Sequence, residues 1–340
     1  MLSTRRSRRI SLAVGAAAAA LVLVGCSSPS GEPGGEDDVN YPDGPIEYVV
    51  PYNPGGSTDP VGREFSRLLA EELGTTEVVE NLPGGDETIG IASVLEAEPN
   101  GQRMGLSSAT GIIVQPLVND ELPFKGPEDY TPIVMMVEAP NAILVAADSP
   151  IETIDDLIAA AKAAPGEFSV GTTGRLTNNT FVLVALEEAA GIDLNIVPFS
   201  GGAGEAVLAT IGGQVDAVIP TAAGQLGLVE AGDVRPIIHT GSPEYNDVLK
   251  GATSFGEEGY DVAALFSSNY VTVTAAGIDD AVREKLTAAA LAVAESDEWA
   301  QWCADKGFIS KPMAGAELDT WIEDVTQASK DAIALVEASE

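Results

Sequence analysis

The chain has 340 residues, 45% of them hydrophobic, enough length and apolar content for two packed domains and too much for a disordered polymer. Its formal net charge is −35, with 17 Lys and Arg against 52 Asp and Glu, which argues against nucleic acid as a partner. With 2 cysteines and 1 histidine, the inventory for a metal centre or a nucleophile–base pair is nearly empty.

The N-terminus reads as a targeting segment. Arg5, Arg6, Arg8 and Arg9 form a basic start, and residues 10–24 form an Ala-rich apolar run too short to span a bilayer. Leu23-Val24-Gly25-Cys26 resembles a bacterial lipobox, which implies a signal peptide over residues 1–25 and lipidation of Cys26. Ser7-Arg8-Arg9-Ile10-Ser11-Leu12 also looks like a twin-arginine signal, so the export route stays open. Residues 26–45 are rich in Ser, Pro, Gly and acids and read as a flexible tether. With Cys26 lipidated, Cys303 has no intrachain partner, and no disulfide is expected; it reads as a small buried core residue. His239 ends an apolar run and reads as structural.

The body opens on the strand-like run Ile46-Glu47-Tyr48-Val49-Val50 and the loop Pro51-Tyr52-Asn53-Pro54-Gly55-Gly56-Ser57-Thr58-Asp59. Val61, Phe65, Leu68, Leu69 and Leu73 then recur at helical spacing. Ser57, Thr58 and Asp59 are competent N-caps, and Pro60 suits a first helical turn. A strand, a Gly-Gly loop and a helix start present free backbone N–H groups and the positive end of a helix dipole, an anion site. No Lys follows the glycines and no G-x-G-x-x-G fingerprint is present, so nucleotide-binding loops are set aside.

Strand-like and helical segments then alternate, which predicts an α/β fold with parallel sheets. Strands are expected over residues 76–80, 103–107, 131–138, 141–147, 168–170, 195–199, 214–219, 235–239 and within 262–274. Helices are expected over 87–97, 150–164 with Thr153 as cap, 180–190, 203–211, 224–231, 279–294, 297–306 and 316–336. Ala139-Pro140 reads as a crossing between domains.

The loops at the carboxyl ends of several strands carry small polar residues: Gly55, Gly56, Ser57, Thr58 and Asp59; Ser107, Ser108 and Thr110; Thr172, Thr173, Arg175, Thr177 and Asn178; Gly201 and Gly202; and Thr221. In open α/β sheets ligands sit at this end, so the repetition points to a polar small-molecule cleft. Catalysis is disfavoured: no G-x-S-x-G elbow and no metal-ligand spacing occurs, so no metal and no cofactor is expected.

Several segments resemble the tripartite tricarboxylate transporter receptors, the Bug-type extracytoplasmic solute-binding proteins. They are Val50-Pro51-Tyr52-Asn53-Pro54-Gly55-Gly56-Ser57-Thr58-Asp59, then Val78-Val79-Glu80-Asn81-Leu82-Pro83-Gly84-Gly85 with Ile89-Gly90. Pro198-Phe199-Ser200-Gly201-Gly202 and Gly212-Gly213-Gln214-Val215-Asp216 follow in the same order. The resemblance runs from about residue 46 to the end. It implies a type II periplasmic-binding-protein fold, with residues 46–139 and 271–340 in one α/β domain, 140–270 in the other, and a hinge between them. It also implies a monomeric, lipid-anchored receptor outside the cytoplasm. This receptor would capture a small di- or tricarboxylate and hand it to transmembrane permease subunits. Sensing by the same fold, or a non-carboxylate solute, are the alternatives. Tyr52 and Phe199 join the expected ligand contacts on this ground.

The sequence departs from the family pattern where Asp86-Glu87 interrupt a run of small residues, where Phe199 replaces a common Tyr, and at Arg175 and Asn178. One ligand carboxylate is assigned to backbone N–H groups around residues 56–59, with help from the Ser57 or Thr58 hydroxyl. Asp59 is read mainly as a helix-start residue. Arg175, if it points into the cleft, would grip a second carboxylate in bidentate fashion.

Overall fold

The structure, a computed structural model, describes residues 39–55, 58–199, 202–261 and 266–338. The expected signal peptide, Cys26 and most of the tether lie outside the described residues, as do Gly56, Ser57, Gly201 and residues 262–265 of the expected strand region. From Val39 on, the chain is one compact unit.

Two six-stranded sheets carry the fold. The first holds β1 (Ile46–Val50), β2 (Glu77–Asn81), β3 (Arg103–Ser108), β4 (Tyr130–Glu138), β11 (Tyr270–Ala275) and β12 (Ile309–Met313), in the order β12-β4-β11-β3-β1-β2. The second holds β5 (Ala142–Ala146), β6 (Ser169–Thr172), β7 (Asn195–Pro198), β8 (Ala217–Val218), β9 (Val234–His239) and β10 (Thr253–Ser254), in the order β10-β9-β5-β8-β6-β7.

The sheets are mixed, which corrects the expectation of parallel ones. β1 runs parallel to β2 and β3, but β11 is antiparallel to both β3 and β4. In the second sheet β6 is parallel to β7 and β8, whereas β5 is antiparallel to β8 and β9. The reason lies in the connections. β5 and β11 are the strands that enter a sheet from the other one, so no crossover within their own sheet sets them parallel to a neighbour.

The crossing is bonded through one side chain. Asn141, fully buried, donates from Nδ2 to the Phe266 carbonyl at 2.9 Å and accepts at Oδ1 from the Ser268 hydroxyl at 3.1 Å. Ser268 N–H donates to the Ala139 carbonyl at 3.0 Å, so the outgoing and returning segments are tied side by side.

Helix α1 (Asp59–Glu72) buries Val61, Phe65, Leu68 and Leu69 against β1 and the residues around Trp299, as its spacing predicts. Trp299 sits edge-on to Phe65 at 5.2 Å between ring centroids and donates Nε1–H to the Met136 carbonyl at 3.0 Å. Cys303 is a free thiol buried in the same cluster. The final helix (Gly315–Ala338) begins on the first core with Leu318, Ile322 and Val325. It ends on the second with Ala332, Ile333 and Val336, so its last turns do not follow the division expected from sequence. His239 is buried at the end of β9, bonded to Asn246 at 2.7 Å.

The loop after β1 is held by a polar clamp. The Asp59 carboxylate accepts the Gly55 N–H at 3.0 Å, the Arg63 Nε–H at 3.0 Å and the Asn81 amide at 2.8 Å. Asn81 also donates to the Tyr52 carbonyl at 3.0 Å. Burial pushes the Asp59 carboxyl up, but the bonds from Asn81, Gly55 and Arg63 outweigh it and hold the group below its ordinary 3.8. A depressed carboxyl contributes stability above its unfolded value and loses it as pH falls through the folded one. Asp59→Asn should therefore destabilise the protein by about 2 kcal/mol at pH 7, since hydrogen bonds to a charged group are worth about 1.5–3 kcal/mol. Chemical denaturation at several pH values should show the gap closing as pH falls below 4.

Candidate functional site

A cavity of about 650 Å³ lies where the carboxyl ends of strands from both sheets meet. From the first sheet come Tyr52, Asn53, Thr58, Asp86, Glu87, Ser108 and Thr110; from the second come Thr173, Thr177, Asn179, Gly202, Thr221 and Gln225. Ser268 and Tyr270 arrive on the returning segment. The described lining residues include two acids and no Lys, Arg or His.

The lining is rich in helix starts. Thr58 is the N-cap of α1, Glu87 of α2 (Thr88–Leu95), Thr177 of α5 (Asn178–Ala190) and Gly202 of α6 (Ala203–Ile211), while α3 (Gln115–Val118) and α4 (Ile154–Ala163) start away from the cavity. None of the four makes a side-chain capping bond. By contrast, Thr153, Asp279 and Ser296, which start helices away from the cavity, all cap with their own side chains. Thr153 forms a full capping box with Asp156. First-turn N–H groups have no partner within a helix, so uncapped starts can leave donors for something else. At α2 the Thr88 and Ile89 N–H groups are taken by the Gly85 and Gly84 carbonyls, and at α1 Pro60 has no N–H and Val61 N–H bonds the Thr58 carbonyl, so α5 and α6 are the starts that can serve a ligand.

The first-sheet wall is a connected polar network. Tyr52 Oη donates to Glu87 Oε1 at 2.5 Å, and the Ser108 hydroxyl donates to the same oxygen. Glu87 Oε2 accepts from Ser107 Oγ and Ser108 N–H, each at 2.8 Å. Thr58 Oγ1 and Tyr270 Oη share a bond of 2.9 Å, and the Tyr52 and Tyr270 rings meet edge-on at 6.5 Å. On the second-sheet side Thr173 Oγ1 donates to Asn179 Oδ1 at 2.8 Å, and Asn179 Nδ2 to the Ile219 carbonyl at 2.7 Å. Asn179 is thereby fixed with its amide at the mouth of α5.

Of the residues singled out in the sequence, Tyr52, Thr58, Ser108, Thr110, Thr173, Thr177, Gly202 and Thr221 line this cavity. Gly56, Ser57 and Gly201 lie outside the described residues. Gly55 and Asp59 do not line it: Gly55 is exposed and Asp59 turns back onto the clamp. Ser107 is buried behind Glu87, and Thr172 is buried with its hydroxyl on the Gly174 carbonyl at 2.9 Å. Phe199 instead packs its ring 3.1 Å from where a Gly171 Cβ would stand.

Asn178 is buried outside the lining, and its amide has no hydrogen-bond partner among the described residues. Arg175 is placed away from the cavity, exposed beside Glu187, Glu188 and Leu335. The hydroxyls of Thr172, Thr177 and Thr180 all converge on the Gly174 carbonyl, which turns Thr173 and Thr177 inward and leaves Arg175 at the apex of the loop.

The sequence reading missed Glu87, Asn179, Gln225, Ser268 and Tyr270 as lining residues. The interruption at Asp86-Glu87 was the available signal for the first; Tyr270 lies 212 positions from the Thr58 it bonds, beyond any local pattern. Another cavity, of about 500 Å³, lies near Glu138, Thr240 and Asn269; its lysine, Lys311, is engaged by Glu138 at 3.3 Å. No group of three or more potential metal ligands occurs among the described residues.

Glu87 titrates abnormally. Burial raises its carboxyl above the ordinary 4.5 even though Ser108, Tyr52 and Ser107 donate to it. The folded chain thus holds this proton more tightly than the unfolded one. The associated stability is full below the unfolded value and is lost as pH rises through the folded one. The melting temperature of the wild type minus that of Glu87→Gln should fall as pH rises from 4 to 7; a flat difference would show that burial does not perturb this group.

The family described as the tripartite tricarboxylate transporter family receptor matches residues 61–337. A UPF0065 protein encoded between tcbD and tcbE in a Pseudomonas species is 31% identical over 225 residues, covering 65% of this chain and 66% of that protein. Protein BugT of Bordetella pertussis is 32% identical over 204 residues, covering 58% of this chain and 60% of its own. The match spans less than two thirds of either relative's length.

Among solved structures, a TctC solute-binding protein from Polaromonas, without ligand, superposes with a TM-score of 0.70 at 26% identity, covering 88% of this chain and 99% of that one. An R. palustris protein with adipate gives 0.75 at 20% identity, covering 88% and 99%. MatC from Rhodopseudomonas palustris with bound malate gives 0.69 at 21%, covering 86% and 100%. The last two establish likeness of fold alone. The chain belongs to the tripartite tricarboxylate transporter receptor family, a family of receptors and not of enzymes.

Proposed function

We propose that this protein is an extracytoplasmic receptor that captures a small carboxylate in the cavity between its two sheets. It is held at the membrane by a lipid on Cys26 and delivers the solute to tripartite permease subunits. The observation that carries this reading is the pair of helix starts at Thr177 and Gly202, which line the cavity with no side-chain cap, against the capped ones at Thr153, Asp279 and Ser296. Adipate and malate in two proteins of like fold support it.

The charge of −35 is no obstacle. At physiological ionic strength charges beyond about 8 Å are largely screened. N–H groups at a helix start act at contact distance, and each charge-assisted hydrogen bond is worth about 1.5–3 kcal/mol.

Closure follows from the same geometry. Residues 46–139 with 271 to about 325 form one lobe and 140–270 the other, on which the end of the final helix packs, with the hinge at Ala139-Pro140-Asn141 and the returning segment near Ser268. A solute touching Thr173, Thr177 and Gly202 as well as Thr58 stabilises the closed arrangement by the contacts it makes only there. The permease then recognises the closed form.

A thermal-shift screen of carboxylates, sugars and amino acids tests the reading. A solute at 100 times its Kd stabilises the fold by about 2.7 kcal/mol. Shifts confined to solutes bearing a carboxylate are expected, with affinity about tenfold weaker in Thr173→Val, which removes the hydrogen bond holding the Asn179 side chain at the start of α5. Shifts with sugars alone would contradict it.

A further inference from the structure

At the first-sheet end of the cavity the donors are already taken. Two oxygens of Glu87 receive four donors: Tyr52 Oη and the Ser108 hydroxyl on one, Ser107 Oγ and Ser108 N–H on the other. That is the set a bound carboxylate requires, two hydrogen bonds to each oxygen. Glu87 is only 5% exposed.

The backbone is shaped to deliver it. Gly84, Gly85, Asp86 and Glu87 have consecutive positive φ of 127°, 59°, 48° and 78°, a left-handed path that a Glu adopts only under constraint. Room is left opposite: a Cβ on Gly111 would stand 2.6 Å from Glu87 Oε2 and 2.6 Å from Ser107 Oγ. Asp86 lines the cavity beside it, and no described lining residue is cationic.

We propose that Glu87 is a built-in substitute for a ligand carboxylate, filling the cradle of Tyr52, Ser107 and Ser108 and so excluding dicarboxylates. The cavity takes instead a small monocarboxylate whose other end is a hydrogen-bond donor, a hydroxyl or an ammonium. Its carboxylate lies at the starts of α5 and α6, and its donor end faces Asp86 and Tyr52. This inference rests on the carboxylate reading of the cavity and narrows the di- and tricarboxylate class that the family resemblance implies.

The test compares wild type, Glu87→Gly and Glu87→Gln by calorimetric titration and melting temperature, with succinate, 4-hydroxybutyrate, 4-aminobutyrate and acetate as probes. Glycine suits a φ of 78°, so Glu87→Gly relieves the backbone and folds. Wild type should bind the two monocarboxylates with donor ends at least tenfold more tightly than succinate. Glu87→Gly should gain at least tenfold for succinate and be stabilised by acetate, which enters the vacated cradle and leaves wild type unaffected. Glu87→Gln, whose amide fills the same space, should go on rejecting succinate and acetate.

Equal succinate affinity in wild type and Glu87→Gly would overturn the proposal. So would a gain in Glu87→Gln as large as in Glu87→Gly, which would mean that charge and not occupancy excludes the second carboxylate. Carboxylates binding all three proteins alike would sink this inference and leave the carboxylate reading standing. Failure of every probe with all three would sink both.

Discussion

The constraint behind this site is that the first N–H groups of a helix have no partner within it. Away from the cavity the chain meets that requirement locally, with Thr153, Asp279 and Ser296. Around the cavity it does not: α5 and α6 open onto shared space with no cap from their own N-cap side chains. Donors grouped this way favour an anion, and the helix dipoles add to the preference. A cavity lined by two acids and no described cation can still attract a carboxylate, because the positive potential comes from backbone.

The rest of the structure serves to hold those helix starts. The Asp59–Asn81–Arg63 clamp fixes the loop after β1 and ties the start of α1 to the end of β2. Asn81 therefore earns its place in the Val-Val-Glu-Asn stretch by geometry, bonding the Tyr52 carbonyl as well as Asp59. Asn141 does the equivalent work between the sheets, fastening the outgoing and returning segments where the lobes of the proposed jaw would turn. Glu87, the residue before α2, turns its own acid into the wall, where it takes the donors of Tyr52, Ser107 and Ser108.

Much of this was legible in the sequence because it is local. The apolar spacing of Val61, Phe65, Leu68 and Leu69 defines α1, and the Gly-Ser-Thr loops after strands mark the end of the sheet where the cavity lies. Thr58, Ser108, Thr173, Thr177 and Thr221 could be found that way. What escaped is non-local or conformational. Strand direction depends on how β5 and β11 enter their sheets. Tyr270 reaches Thr58 only after the chain has passed through the second sheet and returned. Arg175 was attractive as a lone cation in a polar loop, but three hydroxyls on the Gly174 carbonyl turn that loop the other way. The left-handed run at Asp86-Glu87 has no signature in residue type, since neither residue favours it.

In the proposed mode of binding, backbone N–H groups at helix starts hold a solute carboxylate between the two sheets. The most direct measurement is a crystal structure with the most strongly stabilising carboxylate. Carboxylate oxygens should lie within hydrogen-bonding distance of the first N–H groups of α5 or α6, with Thr173 and Thr177 alongside. A solute seated elsewhere, or one whose carboxylate is gripped by Arg175 and not by a helix start, would contradict it.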